Sequence, residues 1–212
     1  MRTLLKALRP VATVMVTAPL VVAFTSASAQ SKPDGSAYTS VPYTCQTWLD
    51  GEQMDIDNYE LDFEVTAPET VAPRSEYVTT FDPAPIYPVP QFNEELIDVH
   101  ATYSLPWNAM IVNYWLVGGE VTDSVTRSGN QLTVHSPAPK AGGVEFDLPT
   151  LKVRLKAPRK GTLVSTPGGS GYHDLSFGWL RLHPDTQEWD AFECFVEPGD
   201  DIEFARTEVV RA

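Results

Sequence analysis

Trp189-Asp190-Ala191-Phe192-Glu193-Cys194-Phe195-Val196-Glu197-Pro198-Gly199-Asp200-Asp201 reads as a strand carrying Cys194 and closed by a Pro198-Gly199 turn. The chain has 2 cysteines, and the other, Cys45, stands in Pro42-Tyr43-Thr44-Cys45. A bond between them joins the first strand of a domain to its penultimate strand and encloses nearly everything between. A pair of reduced, buried thiols is the competing reading, and the compartment decides between the two. The spacing excludes a C-x-x-C redox pair, and two thiols alone do not build a structural zinc site.

The N-terminus speaks to the compartment. Arg2, Lys6 and Arg9 precede an apolar run, Val11 to Phe24, and Ala27-Ser28-Ala29 follows. A basic end, a short apolar core and small residues before a cut describe a secretory signal peptide over residues 1–29. An uncleaved anchor is the alternative, but the run is short for a bilayer and Pro19 interrupts it. No cysteine lies near the cut, which excludes a lipoprotein anchor, and no second long apolar run follows. The expected product is secreted, with no transmembrane helix in the mature chain, and export favours the Cys45–Cys194 bond.

Cleavage removes three cations and takes the formal charge from −13 to −16. A surface of that sign repels nucleic acid and anionic lipid, both of which need basic contacts. The hydrophobic content of 42% argues against general disorder, and the length suits one domain or two small ones.

Gln30 to Ser40 is polar, with Pro33, Asp34 and Gly35, and reads as a flexible leader. From Val41 the texture is β. Leu61-Asp62-Phe63-Glu64-Val65, Val144 to Leu148 and Leu151-Lys152-Val153-Arg154-Leu155 alternate as strands with one wet face. Val121 to His135 reads as a hairpin turning at Ser128-Gly129-Asn130. Ala109 to Val117 is the most apolar run of the mature chain, and Gly118-Gly119 ends it; its β-branched and aromatic content predicts a buried strand. Pro167-Gly168-Gly169-Ser170-Gly171 reads as a flexible loop. No stretch holds a helical period. Short strands punctuated by 18 prolines and 13 glycines predict a single all-β domain over 41–212, an antiparallel, immunoglobulin-like β-sandwich.

Tyr43-Thr44-Cys45 soon after an export signal, and Phe192-Glu193-Cys194 followed by Pro198-Gly199-Asp200-Asp201, resemble secreted actinobacterial β-sandwich proteins of unknown function. Phe146-Asp147-Leu148-Pro149 leading to Leu151-Lys152-Val153 is similar in texture. The resemblance spans most of residues 41–205. It implies a cell-envelope or extracellular location, no established activity, and a structural pairing of Cys45 with Cys194.

His100, His135, His173 and His183 form no H-E-x-x-H or H-x-H pattern, and each is expected as an ordinary surface or strand residue. His173-Asp174 with Ser165 and Ser170 nearby is the best catalytic constellation. Yet Gly168-Gly169-Ser170-Gly171-Tyr172 is not G-x-S-x-G, and the strand-to-helix elbow that motif requires is absent. Asp50, Glu52, Asp55 and Asp57 lack the order of an EF-hand and read as a solvated acidic loop. Trp107, Tyr114 and Trp115 cluster around the apolar strand; exposed, they are a ligand-binding surface, and buried they are core. Period two puts Tyr114 with Val112 and Met110, and Trp115 with Ile111 and Asn113. Trp179 and Trp189 are expected in or near the core.

The sequence therefore predicts a non-catalytic envelope or extracellular protein with a binding or structural role. The expected partner is a protein, glycan or lipid and not nucleic acid, with no catalytic residue, metal or cofactor assigned. The alternative is a secreted hydrolase acting on envelope carbohydrate or ester. A deep cleft containing His173, or two facing carboxylates, favours the enzyme. An exposed aromatic strip on a sheet favours binding.

Overall fold

A computed structural model describes residues 35–49 and 51–211. The expected signal peptide, the first residues of the expected leader, Asp50 and Ala212 lie outside the described residues. Among the described residues there are fourteen strands: β1 Gly35–Leu49, β2 Glu52–Ala67, β3 Thr70–Val71, β4 Glu76–Pro83, β5 Glu95–Ser104, β6 Met110–Val117, β7 Ser124–Ser128, β8 Gln131–Ser136, β9 Lys140–Ala141, β10 Thr150–Lys156, β11 Gly161–Pro167, β12 Phe177–Leu182, β13 Trp189–Phe195 and β14 Ala205–Val209. There is no helix among the described residues. The strands pair in the order β3-β14-β11-β5-β12-β13-β1-β2-β4-β10-β6, with the β7–β8 hairpin and β9 also joined to β5. All pairs are antiparallel except β3 with β14.

The sheet folds back on itself, so that its two halves face each other. Phe63 on β2 and Phe81 on β4 meet Tyr103 on β5 and Phe204 just before β14, with ring centroids 4.8–6.1 Å apart. Val65, Leu151, Val153, Leu155 and Leu163 fill the same space, all essentially inaccessible. Burying such alternate residues from both halves is the main source of stability in a sandwich. A second aromatic group, Tyr43, Tyr59, Phe177, Trp179 and Phe192, continues the core beneath the other strands, with Trp179 stacked on Phe192 at 4.3 Å. Burial pushes the Tyr59 phenol up to about 12, and that of Tyr103 further. Both stay neutral, as apolar packing requires. The expected placement of Trp179 holds. Trp189 instead starts β13 at an exposed corner.

Cys45 and Cys194 are bonded and fully buried. They lie directly opposite each other on β1 and β13, with Cα atoms 4.1 Å apart. The bridge joins neighbouring strands of one sheet, the first and the penultimate of the described strands.

Three sequence expectations need correction. Gly35–Ser40 is not leader: it is the start of β1 and pairs with Asp62–Ala67 of β2. The segment is polar because only β2 flanks it there and most of its side chains face water. Tyr38 and Ser36 donate to the Glu64 carboxylate at 3.1 and 2.7 Å. Glu52, Asp55 and Asp57 do not form a loop; they stand exposed along β2. The glycines after Pro167 do not make a loose loop either. Gly168 is buried, with its N–H donating to the Thr102 carbonyl at 2.8 Å, and a Cβ there would lie 2.4 Å from the Thr102 methyl. Gly168 and Gly169 permit close approach rather than motion.

The corrected strand gives a testable consequence. Removing residues 35–40 from the protein should lower its stability by about 1–2 kcal/mol, through a few ladder bonds each worth about 1 kcal/mol or less after the entropy of ordering. Thermal melting of the two forms measures it. An unchanged melting temperature would show that the segment is leader after all.

Candidate functional site

The apolar run Met110–Val117 is a strand, as its composition predicts, but it is not buried. As β6 it is the last strand of the sheet path, paired with β10 on one side. Met110, Val112 and Val117 are exposed, and Trp107 in the preceding turn is 86% accessible. Hydrophobicity predicted burial because an apolar run usually marks a central strand; here it marks an edge.

The register sorts its side chains. Tyr114 opposite Val153, and Leu116 opposite Leu151, face the core; Trp115 opposite Lys152, and Asn113 opposite Arg154, face out. The ladder slips between Arg154 and Leu155, which leaves Val112 unmatched. That bulge puts Ile111 opposite Leu155 on the core side and Met110 opposite Lys156 on the outer side. Strict period two had grouped Ile111 with Trp115 and Met110 with Tyr114, and the bulge reverses both. Of the three aromatics singled out, Tyr114 is therefore part of the packing, Trp115 is half-buried on the outer face, and Trp107 projects into solvent. The Arg154 guanidinium lies 5.9 Å from the Trp115 ring, within cation–π range.

The neighbouring strand β10 and the turn after it carry positive charge. Five cations fall between residues 152 and 160: Lys152, Arg154, Lys156, Arg159 and Lys160. Arg74 joins them, because its N–H donates to the Pro158 carbonyl at 3.1 Å and Ala157 donates to Ser75 at 2.9 Å. Asn108 ties the Trp107 turn to the same place, donating to the Thr162 carbonyl at 3.2 Å. The ion pairs among the described residues use Lys140, Arg181 and Arg206, and none of these six cations. Residues 72–75, 105–109 and 157–160, the turns that meet here, contain no carboxylate. Glu69, Glu76 and Glu208 border the cluster. The signal was present in the sequence as a dense run of cations in an acidic chain, but net charge averages it away.

The residues considered for hydrolysis are arranged differently from a relay. The Ser170 hydroxyl donates to the Asp174 carboxylate at 3.1 Å, and the Ser170 and Gly171 amides bond to the Asp174 carbonyl. His173 is exposed, and no hydrogen bond among the described residues joins it to Ser170. A depression of about 370 Å³ beside Ser170 is lined by Glu197, Asp200, Asp201 and Glu203 and not by His173. The structure brings together a different pair of histidines. His100 on β5 and His135 on β8 lie opposite each other, with ring centroids 6.3 Å apart. Burial lowers the pKa of both. Their positions 35 residues apart concealed this, since only the β5–β8 pairing makes them neighbours.

No family model matches this chain, and no curated protein matches it. Among solved structures it is similar to the crystal structure of a "Putative membrane anchored protein" from Corynebacterium diphtheriae, at 14% identity and a TM-score of 0.45. The match covers 84% of this chain and 38% of that one. That neighbour is from an actinobacterium, and at this distance the likeness carries no functional argument. The disulfide itself fits an extracytoplasmic, oxidising compartment.

Proposed function

We propose that this is an exported cell-envelope protein that acts by binding through its surface and not by catalysis. One observation carries the reading: an apolar edge strand, β6, and a nearly fully accessible Trp107 stand beside it on a disulfide-linked body. Large exposed apolar groups grouped at one site are characteristic of interaction surfaces. The hydrolase alternative would need a serine or carboxylate oriented by a base, whereas the Ser170 hydroxyl is engaged by Asp174 and no hydrogen bond among the described residues joins it to His173.

The test is sedimentation of the purified protein with isolated cell envelopes, alongside assays on ester and glycoside substrates. Wild type should co-sediment. Ser170→Ala and His173→Ala should co-sediment equally and melt at the wild-type temperature. Loss of a general base typically costs about a hundredfold or more in rate. A hydrolytic activity that disappears in either variant would therefore replace this reading with the alternative.

A further inference from the structure

We propose that the end of the molecule formed by Arg74, Trp107, Lys156, Arg159 and Lys160 docks on an anionic phospholipid bilayer. The proposal rests on the binding reading above and names its partner. It also limits the expectation from net charge that anionic lipid is repelled, because that expectation treats the charge as evenly spread.

Three observations favour a membrane surface. The first is the local reversal of sign. Arg74, Arg159 and Lys160 lie in turns without a carboxylate that come together, with Lys156 at the adjoining end of β10, in a chain of formal charge −13. The second is the position of the carboxylates. Gly35 of β1 pairs with Ala67 near the cationic end, and Leu49 pairs with Glu52 at the far end. β6 likewise begins beside Lys156 and ends beside Thr150, so Glu120 and Asp123, in the segment after it, lie away from the tip. Glu69, Glu76 and Glu208 border the tip, and a tip-first approach to a negative surface holds off the carboxylates of the far end.

The third observation is the form of the apolar group. Trp107 stands in a turn, between Pro106 and Asn108, at 86% accessibility, with Met110 exposed next to it. An indole carried on a turn that Asn108 ties to the strand after Arg159 and Lys160 suits the headgroup layer, where aromatic rings settle and cations meet lipid phosphates. A soluble sugar polymer is better served by an aromatic ring lying flat along a sheet. The anchoring turn is also held in place by Asn108, so the ring is presented without ordering a loop on binding.

The test uses the protein lacking residues 1–29, so that the apolar run of the signal makes no contribution. It is mixed with vesicles of phosphatidylcholine alone or of phosphatidylcholine with phosphatidylglycerol, and bound protein is sedimented. Binding is expected only to the anionic vesicles and should weaken as salt is raised. Trp107→Ala should weaken it, and should remove the part of the tryptophan fluorescence that brominated lipid chains quench. Each cation near an anionic surface is worth roughly fivefold in binding, so Arg159→Glu with Lys160→Glu should cost about 25-fold or more. Both sites are exposed, and matching melting temperatures would establish that the variants are folded; Lys160→Glu alone serves if the double variant is not.

Equal binding to both kinds of vesicle, no binding to either, or anionic binding indifferent to all these substitutions would overturn the proposal. So would equally tight binding to dextran sulfate without dependence on Trp107, which would make the partner a soluble polyanion. If vesicle binding fails while the protein still sediments with envelopes, the envelope-binding reading stands and only the lipid is excluded. If both fail, both readings fall.

Discussion

Cys194→Ser is expected to lower the stability of the protein by about 2–5 kcal/mol, the range for loss of a native disulfide. The bond closes a loop of 149 residues, and in the chain-entropy account a loop that long restricts the unfolded chain by about 5 kcal/mol. Both sulfurs are completely buried beside Phe177, which is opposite Cys194 on β12. The substitution therefore also leaves a hydroxyl and a free thiol in an apolar layer. The double variant Cys45→Ser with Cys194→Ser removes the lone reactive thiol and should be comparably unstable. Urea unfolding of the oxidised protein and both variants measures the loss. A loss below about 1 kcal/mol would mean that the β1–β13 ladder already holds the chain ends together and that the bond adds little.

Much of this arrangement could be read from the chain. Leu151-Lys152-Val153-Arg154-Leu155 alternates because Leu151, Val153 and Leu155 enter the core from β10 while its cations face out. The β7–β8 hairpin was legible from its turn residues, and the cysteine pair from its compartment. What escaped were features set by neighbours. The edge position of β6 depends on which strands find it, and an apolar run reports hydrophobicity but not place in the sheet. The Val112 bulge turns over Met110 and Ile111 without any signature in the strand's composition. The start of β1 looked like leader because a strand flanked on one side needs few apolar residues. The cationic tip was hidden for a third reason: Arg74, Trp107 and Lys160 are far apart in sequence, and only the meeting of three turns makes them one surface.

Arg181 is the polar counterpart of the disulfide, and Arg181→Met should cost about 3–5 kcal/mol. Its side chain is only 6% accessible, and its Nε lies 2.6 Å from Asp190 on the paired strand β13. A second guanidinium nitrogen donates to the Trp48 carbonyl of β1 at 3.2 Å. One residue thus satisfies groups on two other strands. Methionine fills the volume but strands the Asp190 carboxylate, 14% accessible, with the Thr47 hydroxyl as its remaining partner. An uncompensated buried charge is the expensive part, so the cost comes more from Asp190 left behind than from the bond lost. Two further variants separate the causes. Arg181→Met with Asp190→Leu should recover most of the loss, because no charge is left unpaired. Arg181→Lys should recover little, since one ammonium cannot reach both Asp190 and Trp48 as the planar guanidinium does. Chemical unfolding of the four proteins decides it: a double variant as unstable as Arg181→Met would show that the hydrogen bonds to the strands, and not the neutralised carboxylate, hold this corner together.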